Sequence, residues 1–170
     1  MKKFIFFCVV AISALFSSCV TIEDDGITDV FEKVIPFEGM SADELYDKAE
    51  NWVNKEFRIM ANDSLGSAIN FKSKEQHTLQ ATYRDTTHYV WSTGLAQYAI
   101  DAERYAISID TKDGRLRFTS QLTQVSLGGG ENWISAGHKH QKKANSEEIF
   151  EKLVSSLTAE VKGTNKNSDW

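Results

Sequence analysis

The stretch YAISIDTKDGRLRFTSQLTQV, Tyr105 to Val125, restricts the possible folds more than any other part of the chain. Tyr105, Ile107 and Ile109 alternate with Ala106, Ser108 and Asp110. Leu116, Phe118 and Leu122 alternate with Arg115, Arg117 and Thr119. A period of two buries one face of a strand and wets the other. Asp113-Gly114 between the two arms is a strong hairpin signal, because a type I′ turn needs positive φ at both central residues. Closing the chain there pairs Lys112 with Arg115, Ile109 with Phe118 and Tyr105 with Leu122, and sets Asp110 beside Arg117 on the wet face. Turn and pattern specify the same register. Val125 and Leu127 fall out of phase with Leu116 and Phe118, which predicts a bulge near Thr123-Gln124.

Two helical patterns flank the strands. Ser41 with Glu44 three residues on forms a capping box, and Met40 with Leu45 a hydrophobic staple. Leu45, Tyr46, Ala49, Trp52 and Val53 then share one face of a helix over 41–57. At the other end, Asn145 as cap, Glu148, and Ala144 with Ile149 as staple predict a helix over 145–161. Its stripe is Ile149, Phe150, Leu153, Val154, Leu157 and Val161, and Lys162-Gly163 is its stop. Phe31–Phe37 reads as a first strand, with Pro36 suited to an edge or a strand end. Ser67–Lys72 (Ile69 and Phe71 in alternation) and Thr78–Arg84 read as further strands. Residues 85–102 admit a strand continuation, a loop or a strand leading into the hairpin. Residues 128–143 read as a long loop. Strand, helix, three to five strands, helix is an α+β two-layer order: an antiparallel sheet with both helices on one face.

The N-terminus carries a different signal. Lys2 and Lys3 precede the apolar run Phe4–Leu15, which is too short to span a bilayer, and Ser17-Ser18-Cys19 follows. Leu15-Phe16-Ser17-Ser18-Cys19 resembles a bacterial lipobox, with Phe16 departing from the usual small aliphatic residue. The expected organisation is a lipoprotein signal peptide at 1–18, a polar tether at 19–29, one domain at 30–163 and a frayed tail at 164–170. Lipidation falls on Cys19 and localisation on the cell envelope, anchored to the outer membrane and facing the periplasm or the surface. Glu23-Asp24-Asp25 reads either as a solvated linker or as resembling the surface-export signal of Bacteroidetes lipoproteins. With Cys8 in the leader and Cys19 lipidated, the remaining chain has no thiol for disulfide, metal or catalysis. Losing Lys2 and Lys3 takes the net charge from −5 to −7, and an acidic domain is a poor match for phosphates, so nucleic acid is not an expected partner.

Val34-Ile35-Pro36-Phe37, Gly39-Met40-Ser41, Glu44-Leu45-Tyr46 and Trp52, together with Lys112-Asp113-Gly114-Arg115-Leu116-Arg117, resemble the recurring pieces of the DUF4468 family over roughly residues 30–125. The resemblance implies a TBP-like fold in an envelope protein of Bacteroidetes-type bacteria, with no established activity and no catalytic residue to carry over. A TBP-like sheet invites a DNA reading, but minor-groove binding needs a basic concave face with apolar wedges, and this chain is acidic.

Catalytic motifs are weak. His138-Lys139-His140, with His77 or His88, is the one start for a zinc site, yet no HExxH accompanies it, and these histidines read as surface residues of a polar loop. Gly128-Gly129-Gly130 lacks the Gly-Lys-Ser/Thr of a phosphate loop. No Gly-x-Ser-x-Gly is present, and no two acids pair for glycoside hydrolysis. No cofactor and no metal are expected. Trp91, Tyr98, Trp133 and Trp170 lie outside the periodic segments; Trp91, Tyr98 and Trp133 are the candidate partner-binding residues, with core packing the competing reading for Trp91 and Tyr98. The expected function is a non-enzymatic binding or structural module, held to the membrane by its N-terminal lipid, with a glycan or an envelope protein as partner. The alternative is an envelope enzyme acting on glycans, with its site in 85–102 and 128–143.

Overall fold

The structure, a computed structural model, describes residues 28–57, 68–92, 97–127, 132–137 and 140–163. Expectations placed on 1–18, Cys19, the tether through residue 27, Gly128–Gly130, His138, Trp170 and the tail from 164 lie outside those residues. For His88, Trp91 and Tyr98 only the backbone is described.

In chain order the elements are β1 (Val30–Pro36), α1 (Ala42–Glu56), β2 (Ile69–Ser73), β3 (Thr78–Ser92), β4 (Gln97–Lys112), β5 (Arg115–Leu127), β6 (Trp133–Ser135) and α2 (Lys143–Val161). The strands form a six-stranded antiparallel sheet in the order β1-β5-β4-β3-β2, with β6 pairing β5 beyond the end of β1. The central hairpin has the register its alternation dictates: Lys112 lies opposite Arg115, Ile109 opposite Phe118 and Tyr105 opposite Leu122. Thr123 is the extra residue of a bulge, because Tyr105 pairs with Leu122 while Arg104 already pairs with Gln124. The bulge restores Val125 to the buried side.

Both helices cover one face. Leu79, Ala81, Ile107, Ile109, Leu116 and Phe118 meet Trp52 from α1 and Phe150, Leu153 and Leu157 from α2. Trp52 is fully buried, edge-on to Phe118 at 6.1 Å between centroids, and Phe118 in turn lies 5.8 Å from Phe150. The Trp52 indole N–H donates to Ser156 Oγ at 3.0 Å, so the two helices are joined through the residue that fills the centre of the layer. Ser41 caps α1 by accepting from the Glu44 amide.

Four local expectations change. The hairpin tip is not a type I′ turn: Gly114 has φ +74°, while Asp113 has no positive φ. Tertiary bonds set that geometry, since Asp113 Oδ1 accepts from the Ala42 amide and the Gly114 amide donates to Met40 O. In β2 a bulge separates Ile69 from Phe71, so Ile69 opposes core-facing Ala81 whereas Phe71 opposes Gln80 and is 45% exposed. α2 starts at Lys143, without a side-chain cap, because Asn145 lies inside its first turn and the Asn145 and Ser146 amides donate to Lys142 O. The 128–143 segment, read as a loop, contains β6. Residues 85–102, where strand and loop were both open, are largely strand, the long arms of β3 and β4 that pair out to Ser92 opposite Gln97.

Candidate binding face

Among the described residues no helix covers the other face of the sheet. Strand alternation turns Gln80, Thr82 and Arg84 of β3 toward it, with Arg104, Ser108, Asp110 and Lys112 of β4 and Arg115, Arg117 and Thr119 of β5. Glu32 and Val34 of β1 join them, opposite Thr119 and Arg117. Asp110 Oδ2 accepts from Arg117 Nη2 at 2.7 Å, the cross-strand pair read from the sequence, and this contact raises the Arg117 pKa. Val34, Asp110, Lys112, Arg115 and Arg117 line a hollow of about 200 Å³ at the hairpin end.

At the opposite end stands Trp133. β6 places it opposite Ser126 on β5. Its ring covers the Arg104 guanidinium, with Cζ 3.8 Å from the ring centroid, and Arg84 approaches to 5.4 Å. Arg84 and Arg104 are directly opposed on β3 and β4, a like-charge pairing that is unfavourable by itself. The indole π face offsets it, a cation–π contact being worth about 0.5–2 kcal/mol. Gln124 Oε1 accepts from Arg104 Nη1 at 3.0 Å. Arg104 is 8% exposed and Trp133 half-buried, so the arginine is the floor on which the indole rests.

Behind this end, on the helix side, lies a buried polar cluster. Glu103 is fully buried and accepts from the Tyr105 hydroxyl at 2.6 Å; that hydroxyl lies 3.4 Å from Ser146 Oγ in the first turn of α2. Gln141 Nε2 donates to Ser146 Oγ, and its Oε1 accepts from the Asp29 amide at 2.8 Å. The network ties β4, α2 and the residues before β1 together. His140 belongs to this buried layer: it is 4% exposed, and its Nδ1 accepts from the Gly137 amide. The surface position expected for it is thus wrong, because the backbone and ring of His140 both bond back to Gly137, which holds the imidazole inward. His77, with φ +53° in the β2–β3 turn, sits 2.8 Å from Asp43 on α1. Among the described residues no three metal-ligating side chains converge.

Of the candidate partner-binding residues, Trp91 and Tyr98 are directly opposed near the far end of β3 and β4. Trp133 joins the sheet level with Ala102, four residues along β4 from Tyr98. Arg84 and Arg104 were not singled out from the sequence. Their alternation with Tyr83 and Tyr105 was the available signal, and it needed the β3–β4 register to become legible.

Strand order, two helices on one face and a polar opposite face define an α+β protein of the TBP-like kind. The family profile described as a domain of unknown function (DUF4468) with TBP-like fold matches residues 31–125, and the chain belongs to that family. Among solved structures, a DUF4468 family protein from Bacteroides ovatus is similar at 17% identity and TM-score 0.56, over 82% of this chain and 88% of that one. A TBP-like protein from Parabacteroides distasonis is similar at 13% identity and TM-score 0.50, over 80% of this chain and 96% of that one. Comparison with curated proteins finds no match. At these identities the likeness to the solved structures concerns the fold alone.

Proposed function

We propose that this protein is a lipid-anchored module of the cell envelope that binds a partner on the helix-free face of its sheet and catalyses no reaction. The observation that carries this reading is that face itself. One side of the sheet is consumed by the helix layer, while the other presents ordered polar and cationic side chains and a half-buried tryptophan seated on Arg104. Such a surface is preorganised, and preorganisation lowers the entropy lost when a partner docks. The long arms of β3 and β4 also turn most of 85–102 into strand, where the enzyme reading had placed a loop site.

Site-specific photo-crosslinking in cells tests it. A photoreactive residue at Thr119, on the free face, is expected to capture envelope material reproducibly, and one at Asp47 on the outer face of α1 is not. Equal capture from both positions, or none from Thr119, sinks the reading.

A further inference from the structure

The charge of the chain is not evenly divided between its two layers. α1 and α2 together carry nine acids and four lysines, net −5. The helix-free face carries Arg84, Arg104, Lys112, Arg115 and Arg117 against Glu32 and Asp110, net +3. Asp113 does not dilute this, because its carboxylate turns to the Ala42 amide on the helix side. The bulge residue Asp101 adds at most one negative charge. On the helix side and edges, Lys33, Lys55, Lys72, Lys74 and Lys143 each pair with an acid. Lys112 and Arg115, both exposed, make no ion pair among the described residues. An acidic protein therefore presents one basic face. Its exposed cations Lys112, Arg115 and Arg117 gather at the hairpin end, and Trp133 lies over the buried Arg104 eight residues, roughly 26 Å, back along β4.

We infer that this face binds a linear acidic polysaccharide, its carboxylates on the exposed hairpin-end cations Lys112, Arg115 and Arg117 and one sugar ring stacked on the outer side of Trp133. The inference rests on the binding-module reading above and names the partner's class. Guanidinium groups take carboxylates in bidentate fashion. Between the cations lie Gln80, Thr82, Ser108 and Thr119, short hydroxyl and amide groups that suit a hydroxyl-rich ligand. An acidic protein partner fits less well, since protein interfaces centre on clustered aromatic and apolar anchors. Here, among the described residues, the exposed large apolar side chains are scattered, Val30 and Val34 on β1, Phe71 on β2 and Val90 on the far arm of β3, and form no central cluster. Nucleic acid fits less well too, as TBP-type binding needs apolar wedges and this chain is net −5.

The test measures binding of the full chain in detergent to polygalacturonate, to neutral dextran and to a duplex DNA oligonucleotide, by biolayer interferometry at two salt concentrations. Polygalacturonate is expected to bind in a salt-sensitive way, and dextran and DNA are not. Lys112→Glu with Arg115→Glu is expected to weaken polygalacturonate binding at least tenfold. Lys152→Glu with Lys162→Glu, the same charge change on the helix side, is expected to alter it less than twofold. Lys112→Gln with Arg115→Gln repeats the test without charge reversal, and should give an intermediate loss. An equal loss in both charge-reversed proteins, or DNA bound with the same dependence on Lys112 and Arg115, overturns the inference. If wild-type protein ignores polygalacturonate while Thr119 still captures a partner in cells, the polysaccharide class is wrong and the binding-module reading stands. Silence at Thr119 removes both.

Discussion

Two tyrosines show how single side chains tune this fold. Tyr105 is fully packed, and its hydroxyl donates to the buried Glu103 carboxyl at 2.6 Å. Removing that hydroxyl keeps the ring packing and takes away its contacts with Glu103 and Ser146 where water cannot replace them. Tyr105→Phe is therefore expected to lower unfolding stability by about 1–3 kcal/mol in urea titration; a change within experimental error would mean that the contact is not formed in solution. Tyr83 behaves differently because it titrates. Burial is the main cause that pushes its pKa well above 10.0, with the negative charge of Asp85 and the hydrogen bond to it adding to the effect. Tyr46 is raised as well, chiefly by burial and then by Glu50. A folded pKa above the unfolded one gives stability that is fully present below pH 10 and lost as the pH climbs toward the raised value. Melting temperature should accordingly fall above about pH 10, and Tyr83→Phe should flatten that fall while leaving the neutral-pH value little changed. An alkaline slope identical in the two proteins would assign the effect elsewhere.

At the scale of elements, the helix layer turns on α1. Its acids Asp43, Asp47 and Glu50 meet His77, Lys74 and Lys72 of the β2–β3 hairpin. These exposed pairs orient the hairpin more than they stabilise it. The stabilisation comes from Trp52, which has no exposed surface and links Phe57, Phe118 and Ser156. Trp52→Ala is expected to destabilise the protein by about 3–5 kcal/mol, the cost of a large cavity in a close-packed layer; an unfolding free energy from urea titration lowered by less than a third of that would deny Trp52 its central place. Trp52 and the hairpin register were legible because each is encoded by local period, 3.6 in one case and 2 in the other. The first turn of α2 was not, since Asn145 offered a good cap while tertiary bonds from Ser146 to Tyr105 and Gln141 favoured an earlier start. Phe71 misled for a similar reason, because a one-residue bulge reverses which face a side chain takes. The arginine–tryptophan end of the free face was half legible. Trp133 stood out by type, but Arg84 and Arg104 become neighbours only through a pairing between β3 and β4 that no turn motif announced.

For the whole molecule, what matters is how the chain enters the domain. Thr28 Oγ1 donates to Leu122 O at 2.6 Å, and the Gln141 amide bonds the Asp29 backbone on both sides. The N-terminal segment thus joins the sheet at the end that holds Trp133 and the buried Glu103 cluster. No helix among the described residues is long and apolar enough to cross a membrane. In the proposed reading Cys19 supplies the attachment. Asp29 lies ten residues after Cys19, at most about 35 Å of extended chain, and a lipid at Cys19 holds the domain within roughly its own diameter of the bilayer. A single acyl chain gives only weak, reversible attachment, so firm retention needs the several chains that a bacterial lipoprotein carries. Wild-type protein should follow the detergent phase in phase partitioning and incorporate labelled fatty acid. Cys19→Ala should abolish the label and either release the protein to the aqueous phase or leave it as the longer unprocessed form. Normal processing and full membrane retention of Cys19→Ala would remove the anchor from the account, and with it the geometry that holds the basic face of the sheet close to the envelope.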